Sequence, residues 1–381
     1  MTPNVTTLIT GGAGFIGTHL TRHLLTLGHD ITVLDNFSPQ IHANEAGLPP
    51  DIAPYVRLVK GDVADPQVLR TALEGANCVV HLAAETGTGQ SMYEVSRYER
   101  TNIGGTAALY DLLAKSPNLD VERIVVASSR AVYGEGAYHC ENDGTVYPFA
   151  RSTEFKRRGD FDPICPVCGG PCRTIPTPET APLRPSSYYG LTKQAQEQTA
   201  ILFGEVFKIP TFALRFQNVF GPGQSLNNPY TGILAIFSNL ARMGRSIRVF
   251  EDGWESRDFV YIDDVVRATA ACLTANTNRC HVLNVGSNQR TSVITAANNL
   301  NEYYGGLSTV EITGDFRDGD IRHGMADLRL AMELLEYQPQ WSFSDGLRRF
   351  LEWANESEPA LAGYERSIAE LQQKGLLHER A

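Results

Sequence analysis

Short apolar runs, each closed by a polar or glycine-rich stretch, set the rhythm of the first third of the chain. Val5 to Ile9, Ile31-Thr32-Val33-Leu34, Val56-Arg57-Leu58-Val59, Cys78 to Ala84 and Arg123-Ile124-Val125-Val126-Ala127 have the length and composition of buried strands. Between them the period lengthens. Leu20, Leu24, Leu25 and Leu27 fall on one side of a helix. A second helix is signalled at Asp65-Pro66, with proline near the first turn, and a third over Asn102 to Leu113. Strands alternating with helices in this way predict an α/β fold built on a parallel, doubly wound sheet. Such sheets bind ligands beyond the C-terminal ends of their strands, where Asp35, Asp62, Ala83 and Ser129 fall.

A long helix opens at Ser187-Tyr188-Tyr189-Gly190 and runs through Phe207. After it the chain is expected to leave the first sheet. Gly232 to Met243, Asp264 to Leu273 and Thr291 to Tyr304 read as helices, and Ile247 to Phe250 and His281 to Val285 as short strands of a smaller mixed domain closing over the strand ends. Beyond Trp353 the chain is polar, with Leu361 and Leu371 spaced among charges, and reads as a peripheral helix or a frayed tail. The expected division is 1–215, carrying an insertion at about 136–180, then 216–353, then the tail 354–381.

The chemistry begins in the loop after the first strand, Thr10-Gly11-Gly12-Ala13-Gly14-Phe15-Ile16-Gly17. Gly11 allows a tight turn, Gly14 lets a pyrophosphate approach the backbone, and Gly17 lets helix and strand pack closely. The helix N-terminus then offers unpaired N–H groups to phosphate. Asp35 closes the second strand, where a ribose 2′-hydroxyl needs a carboxylate. Asn36, Phe37 and Ser38 follow it with no arginine to welcome a 2′-phosphate, which favours NAD over NADP. Tyr189 and Lys193, four apart, share a helix face. A lysine beside the tyrosine, with a nicotinamide cation near, would draw the phenol down from about 10 towards working pH. Ser129, at the end of the fifth strand, could hold the same substrate hydroxyl.

Composition removes other classes. The 381 residues are 42% hydrophobic and 20% charged, enough for a large core. A net charge of −10 and the lack of a lysine- and arginine-rich run argue against nucleic acid and anionic membrane as partners. No apolar run reaches the ~20 residues of a membrane span, and no signal pattern precedes the first strand, so the cytosol is the expected compartment.

Taken in order, TGGAGFIG, Asp35-Asn36, Asp62, His81-Leu82-Ala83-Ala84, Asn102, Ser128-Ser129-Arg130-Ala131-Val132-Tyr133-Gly134 and Tyr189-Gly190-Leu191-Thr192-Lys193 resemble the extended short-chain dehydrogenase/reductase family, in its nucleotide-sugar branch. The match continues through Leu214 to Pro222, Ser256 to Asp264, Arg317 to Ile321 and Ala326-Asp327. The resemblance implies NAD contacts from Gly11, Gly14, Phe15, Ile16, Gly17, Asp35, Asn36, Asp62, Val63, Leu82, Ala83, Ala84, Asn102, Tyr189 and Lys193. It implies catalysis by Ser129, Tyr189 and Lys193. It places a nucleoside-diphosphate sugar against Thr86, Ser129, Arg130, Asn218, Phe250, Arg257 and Arg317, although the core is an equal home for Phe250. It also implies a homodimer through the Tyr189 helix and the helix near Asn102.

The resemblance also narrows the reaction. The family's 4,6-dehydratases carry an acidic or serine residue and then Glu directly after the catalytic Ser/Thr; here Arg130 and Ala131 stand there and can do no such acid–base work. Decarboxylases are disfavoured by the same comparison. A 4-epimerase needs only Tyr189, Lys193 and NAD. The long segment after Gly134, Gly87 to Tyr98, and the loop Gly223 to Tyr230 are most similar to bacterial enzymes that epimerise dTDP-L-rhamnose at C4. A UDP-hexose or UDP-pentose 4-epimerase and a 4-keto-sugar reductase are the alternatives, with an NAD-sensing regulator as the non-enzymatic reading.

Ser129 and Tyr189 stand roughly twice as far apart as is usual in that family. The excess contains His139-Cys140 and Cys165-Pro166-Val167-Cys168-Gly169-Gly170-Pro171-Cys172. CPxCGG is one knuckle of a zinc ribbon. Cys140 and Cys172 could complete a four-thiolate site with Cys165 and Cys168, His139 could replace one of them, or the thiols could be free or a redox pair. The remaining cysteines, Cys78, Cys272 and Cys280, are scattered and read as ordinary, partly buried thiols. Entering after the serine strand, the segment is expected to overhang the active site as a lid.

Overall fold

The computed structural model describes residues 5–42, 47–116, 118–226, 228, 230, 232–359 and 361–380. Asn227 and Pro229, in the loop Gly223 to Tyr230, lie outside them. The central sheet has seven parallel strands: β1 (Thr6–Thr10), β2 (Asp30–Asp35), β3 (Val56–Lys60), β4 (Cys78–His81), β5 (Arg123–Ser129), β6 (Thr211–Phe216) and β7 (His281–Val285), in the spatial order β7-β6-β5-β4-β1-β2-β3. The order reverses beside β1, and the glycine loop opens at that switch.

The strand period of two sorts the sheet's side chains into two cores. Leu8, Val79, Ile124 and Val126 face one side with Leu109 and Ala200. Ile9, Val80, Val125 and Phe212 face the other with Leu20, Leu24 and Val265. Helices α1 (Phe15–Thr26) and α5 (Ile262–Thr274) therefore cover one face; α2 (Pro66–Leu73), α3 (Gly105–Lys115) and α4 (Tyr188–Phe207) cover the other. Asp65 caps α2, its carboxylate accepting from Gln67 N and Val68 N, and Ser187 caps α4, accepting from Gly190 N. Leu27 is exposed, against the expectation that it packs with Leu24, because α1 has already ended at Thr26.

One expectation is corrected and another narrowed. His281–Val285 is not a strand of a smaller unit: it pairs in parallel with β6 at the edge of the central sheet. Residues 361–380 are not a frayed tail: of the two readings the structure shows the helix, and it is anchored. Helix α6 (Ala362–Gln373) leads to Leu377–His378, which pairs antiparallel with Phe316–Arg317. Leu361, Leu371 and Leu377 are buried, and Leu371 packs on Gly89. Among the other small strands, Asn218–Phe220, Ser256–Tyr261 and Arg290–Ser292 form a separate three-stranded sheet, Ile247–Val249 pairs with Val310–Ile312, and Gly144–Val146, Tyr138–Cys140 and Arg173–Thr174 form a three-stranded sheet within the insertion. No helix among the described residues is long and apolar enough to cross a membrane.

Candidate active site

A cleft of about 460 Å³ runs along the C-terminal ends of the strands. At one end it is lined by Gly11, Gly14, Phe15, Ile16, Gly17, Asp35, Asn36, Val63, Leu82, Ala83 and Ala84. The glycines are required by packing. Gly11 has φ +68°, and a Cβ there would meet Ala83 N at 2.8 Å. A Cβ on Gly17 would meet Gly12 Cα at 2.5 Å. Gly14 starts α1 with no side-chain cap, so the first N–H groups of the helix stay open to the cleft. Asp35 is tied to this loop: Ala13 N donates to Oδ2 at 3.0 Å and Phe37 N to Oδ1 at 2.8 Å. The cradle fits a dinucleotide, with an open helix end for phosphate and a strand-end carboxylate for ribose.

Two expected cofactor residues are not among those lining the cleft. Asn102 is fully buried, accepts from Glu85 N at 2.8 Å and donates to Glu85 O and Thr192 Oγ1. It braces the wall instead. Asp62 accepts from Ala64 N at 2.9 Å and pairs with Arg100. The sequence reading missed His42, whose Nε2 lies 3.4 Å from Asp35 Oδ1, and also Gln217, Gln224 and Tyr230 on the cleft wall. Gln217 adjoins the matched Asn218, and Gln224 and Tyr230 fall in the loop Gly223 to Tyr230 that carries the narrower resemblance; nothing in the sequence marks His42.

At the other end Ser129, Arg130, Tyr189, Lys193, Thr86 and Asn218 come together. Ser129 closes β5 and Tyr189 sits in the first turn of α4. Burial raises the Tyr189 phenol above its ordinary value, while the Ser129 hydroxyl bonded to it and the Arg130 charge pull it back. Lys193 does not supply that pull here. It is 2% exposed, and its Nζ donates to Ala127 O at 2.9 Å and to Gln196 Oε1 at 2.8 Å. Burial lowers its pKa to about 7. Arg130 Nε donates to Asn218 Oδ1 at 3.0 Å. Burial and the nearby Arg257 bring Arg130 down only to about 10, so it stays cationic at neutral pH.

Phe250, Arg257 and Arg317 are not among the residues lining the cleft. They gather beyond Arg130 and are engaged with protein groups. Arg257 Nη1 donates to Ser256 O and Arg322 O at 2.9 and 3.1 Å. Arg317 Nε donates to Asp320 Oδ2 at 2.9 Å, and its guanidinium lies over the Phe250 ring, 5.2 Å from the centroid. Burial pushes the Asp320 carboxyl up, but Arg317 and Arg257 hold it below its usual range.

In the insertion, Cys140, Cys165 and Cys168 converge with donor atoms within 4.8 Å of one another, and Asp143, which the sequence reading overlooked, joins them. The Cys172 thiol lies beside those of Cys165 and Cys140 but outside this group, with its Sγ 3.9 Å from Gly170 O. His139 faces Glu141, with Nε2 3.7 Å from its carboxylate.

A parallel sheet with a glycine cradle, and a Ser-Tyr-Lys set at the end of the cleft, define a dinucleotide-dependent enzyme of the extended short-chain dehydrogenase/reductase type. The profile of the NAD dependent epimerase/dehydratase family matches residues 7–157 and 166–286, and the chain belongs to that family. The interruption of the match falls inside the cysteine-rich insertion. The chain is similar to dTDP-L-rhamnose 4-epimerase of Burkholderia thailandensis, 41% identical over 91% of this chain and 94% of that one. Among solved structures it is similar to MoeE5 in complex with UDP-glucuronic acid and NAD (TM-score 0.72, 28% identity, 92% of this chain and 99% of that one). It is equally similar to UDP-glucose 4-epimerase of Thermotoga maritima with UDP-glucose, with the same score, identity and coverage.

Proposed function

We propose that this protein is an NAD-dependent nucleotide-sugar 4-epimerase, and that its substrate pair is dTDP-L-rhamnose and dTDP-6-deoxy-L-talose. One observation carries the reaction type: Ser129 and Tyr189 meet at the end of a dinucleotide cleft, with Arg130 and Ala131 where elimination or decarboxylation would need an acid–base group. The dTDP sugar is supported by the 41% identical relative.

Bound NAD supplies a hydride acceptor that can return what it takes. The chain's residues handle the proton and the charge. Tyr189, as phenolate, removes the proton of the C4 hydroxyl and gives it back after the sugar has turned over. Ser129 holds the phenolic oxygen by its hydrogen bond, and Arg130 stabilises the phenolate. Asp35 takes the adenosine ribose hydroxyls. Asp62, between the lining residues Gly61 and Val63, contacts the cofactor, and Asn102 serves it by bracing the wall. Asn218, Arg257 and Arg317 take the diphosphate, Arg317 exchanging Asp320 for phosphate oxygen.

The proposal includes a cofactor unit over 1–215, supplemented by α5 and β7, and a substrate unit over the rest of 216–353. It includes a structural zinc on the insertion, a cytoplasmic setting and a homodimer. Leu191, Leu202 and Val206, which α4 exposes at 47%, 57% and 62%, support a partner along that helix.

NMR of the purified protein with dTDP-L-rhamnose, and separately UDP-glucose, with no cofactor added, tests the reading. A C4-inverted dTDP sugar is the expected product. Inversion of the UDP sugar alone moves the assignment to a UDP-sugar 4-epimerase; inversion of neither overturns it.

A further inference from the structure

The insertion cannot hold itself together by apolar burial. Its own core consists of Tyr138, Cys140, Val146 and Cys165, so half of it is cysteine. Those thiols are arranged for a metal. Cys140 Sγ and Cys168 Sγ are 3.5 Å apart, far beyond the about 2.05 Å of a disulfide and close to the ~3.8 Å edge of a tetrahedron with Zn–S bonds of about 2.3 Å. Cys165 and Cys168 lie on a tight knuckle in which Cys165 N donates to Gly170 O at 2.8 Å and Gly169 N to Cys165 O at 3.0 Å. Val167 N donates to Cys165 Sγ at 3.4 Å, the backbone support a thiolate ligand needs. Cys140 ends the strand Tyr138–Cys140, and Cys172 directly precedes Arg173–Thr174, which pairs with it. Asp143 Oδ2 lies 3.4 Å from Cys140 Sγ and 3.2 Å from Cys165 Sγ. Structural zinc sites are four-coordinate and dominated by sulfur.

The same insertion grips the segment that carries Arg317 and Asp320. Arg151, buried, bridges Glu135 at 2.9 Å and Glu251 at 2.8 Å and donates to Asp320 O at 2.9 Å. Lys156 Nζ donates to Arg317 O at 3.4 Å and lies over the Phe316 ring. Thr177 closes the far side: its N–H donates to Met325 O at 2.9 Å and its carbonyl accepts from Asp327 N at 3.0 Å. Arg151, Lys156 and Thr177 all hang on the chain that Cys140, Cys165, Cys168 and Cys172 pin.

We infer that a divalent zinc ion bound by Cys140, Cys165, Cys168 and Cys172, with Asp143 outside the ligand set, clasps this insertion and thereby positions the Arg317–Asp320 segment for a nucleoside diphosphate. The inference rests on the proposed zinc and on the proposed role of Arg317, not on which sugar is turned over. The clasp makes nucleotide affinity depend on the metal while the NAD cradle, built from β1, α1 and β2, does not.

The full-length protein, purified without chelator, is analysed for metal by mass spectrometry, and its zinc is released by an organomercurial in the presence of a chromogenic chelator. One zinc per chain is expected. D143N is expected to keep it, and C168S and C172S to lose it. Calorimetry with dTDP and UDP is expected to show the Kd weakened several-fold in zinc-stripped wild-type protein and restored on adding zinc, with bound NAD unchanged. Protein that holds no zinc even after incubation with it overturns the site; loss of zinc from D143N overturns the ligand set. Equal Kd with and without zinc overturns the coupling. Stripped wild-type protein keeps these outcomes readable if the cysteine variants fail to fold. Because metal content and nucleotide affinity are read without turnover, failure of the epimerase assignment stays distinguishable from failure of the clasp.

Discussion

Arg130 and Tyr189 face each other at the sugar end of the cleft: burial drives the phenol up, and the guanidinium beside it draws it back. Replacing Arg130 by Leu removes that counterweight, so the phenolate forms only at higher pH. The acid limb of kcat against pH is expected to move upward in R130L, with kcat at pH 7 reduced by about tenfold and recovered in alkaline buffer. R130K should keep part of the effect. An acid limb that stays in place in R130L would remove Arg130 from the proton transfer.

Tyr189→Phe is the companion test. Without the phenol no group lining the cleft's end takes its place, since Ala131 has no functional side chain and the Lys193 ammonium is turned to Ala127 O. The expected loss in kcat is about 10²–10⁴-fold, with nucleotide affinity retained. NMR of the C4 proton measures the first and calorimetry the second.

Lys193 gives a prediction about stability. Burial lowers its pKa in the folded protein from 10.5 to about 7. The unfolded chain therefore binds more protons than the folded one between those values, and the cost of burying the ammonium is full below about pH 7 and relieved as pH rises towards 10.5. K193M removes that cost. In NAD-free protein the Tm of K193M is expected to exceed wild type at pH 7, with the gap narrowing steadily to pH 10. A constant or widening gap contradicts a buried, destabilised ammonium.

The parts of the fold that were legible in the sequence are those whose determinants are local. The glycine loop, Asp35 and the Tyr189–Lys193 pair each sit within a few residues of the strand or helix that orients them. β7 was misplaced because an apolar pentamer does not say which sheet it joins. Its partner β6 lies on the far side of α5 and the small sheet, and only tertiary packing chooses it. Arg317 looked available for phosphate, but Asp320, three residues on, already takes it. Asp143 was overlooked because zinc-ribbon spacing directs attention to cysteine. The tail's anchors are farthest away of all. Tyr93, Tyr230 and Phe316 come from three separate parts of the chain, and nothing near Glu370 announces them.

Gly17 tests the cradle. A Cβ there would meet backbone on both sides, Gly12 Cα at 2.5 Å and Gly11 O at 2.6 Å, and neither can yield without moving the loop that faces the phosphates. G17A is expected to lose about 1–3 kcal/mol of stability from overpacking and to purify without NAD. Denaturant unfolding and chromatography of the extracted nucleotide read the two effects. Full NAD content in G17A would place the phosphates elsewhere.

Glu370 ties the C-terminal helix to the wall of the cleft. Its Oε2 accepts from Tyr93 Oη at 2.9 Å and from Tyr230 Oη at 2.7 Å, and Tyr230 lines the cleft. The Tyr230 hydrogen bond, despite some desolvation, holds the Glu370 carboxyl below its usual value. A depressed carboxyl keeps its ionised form, and with it both charge-assisted bonds, across neutral pH. The clasp is lost only in acid, as pH falls through that lowered value. E370A breaks both bonds at every pH while leaving Ser129, Tyr189 and Arg130 in place. The expected result is a several-fold rise in KM for the sugar nucleotide with kcat little changed, and KM no longer rising towards acid pH as it does in wild type. If kcat falls in step with kcat/KM instead, the tail acts on the reacting groups and not on the cleft wall that Tyr230 lines.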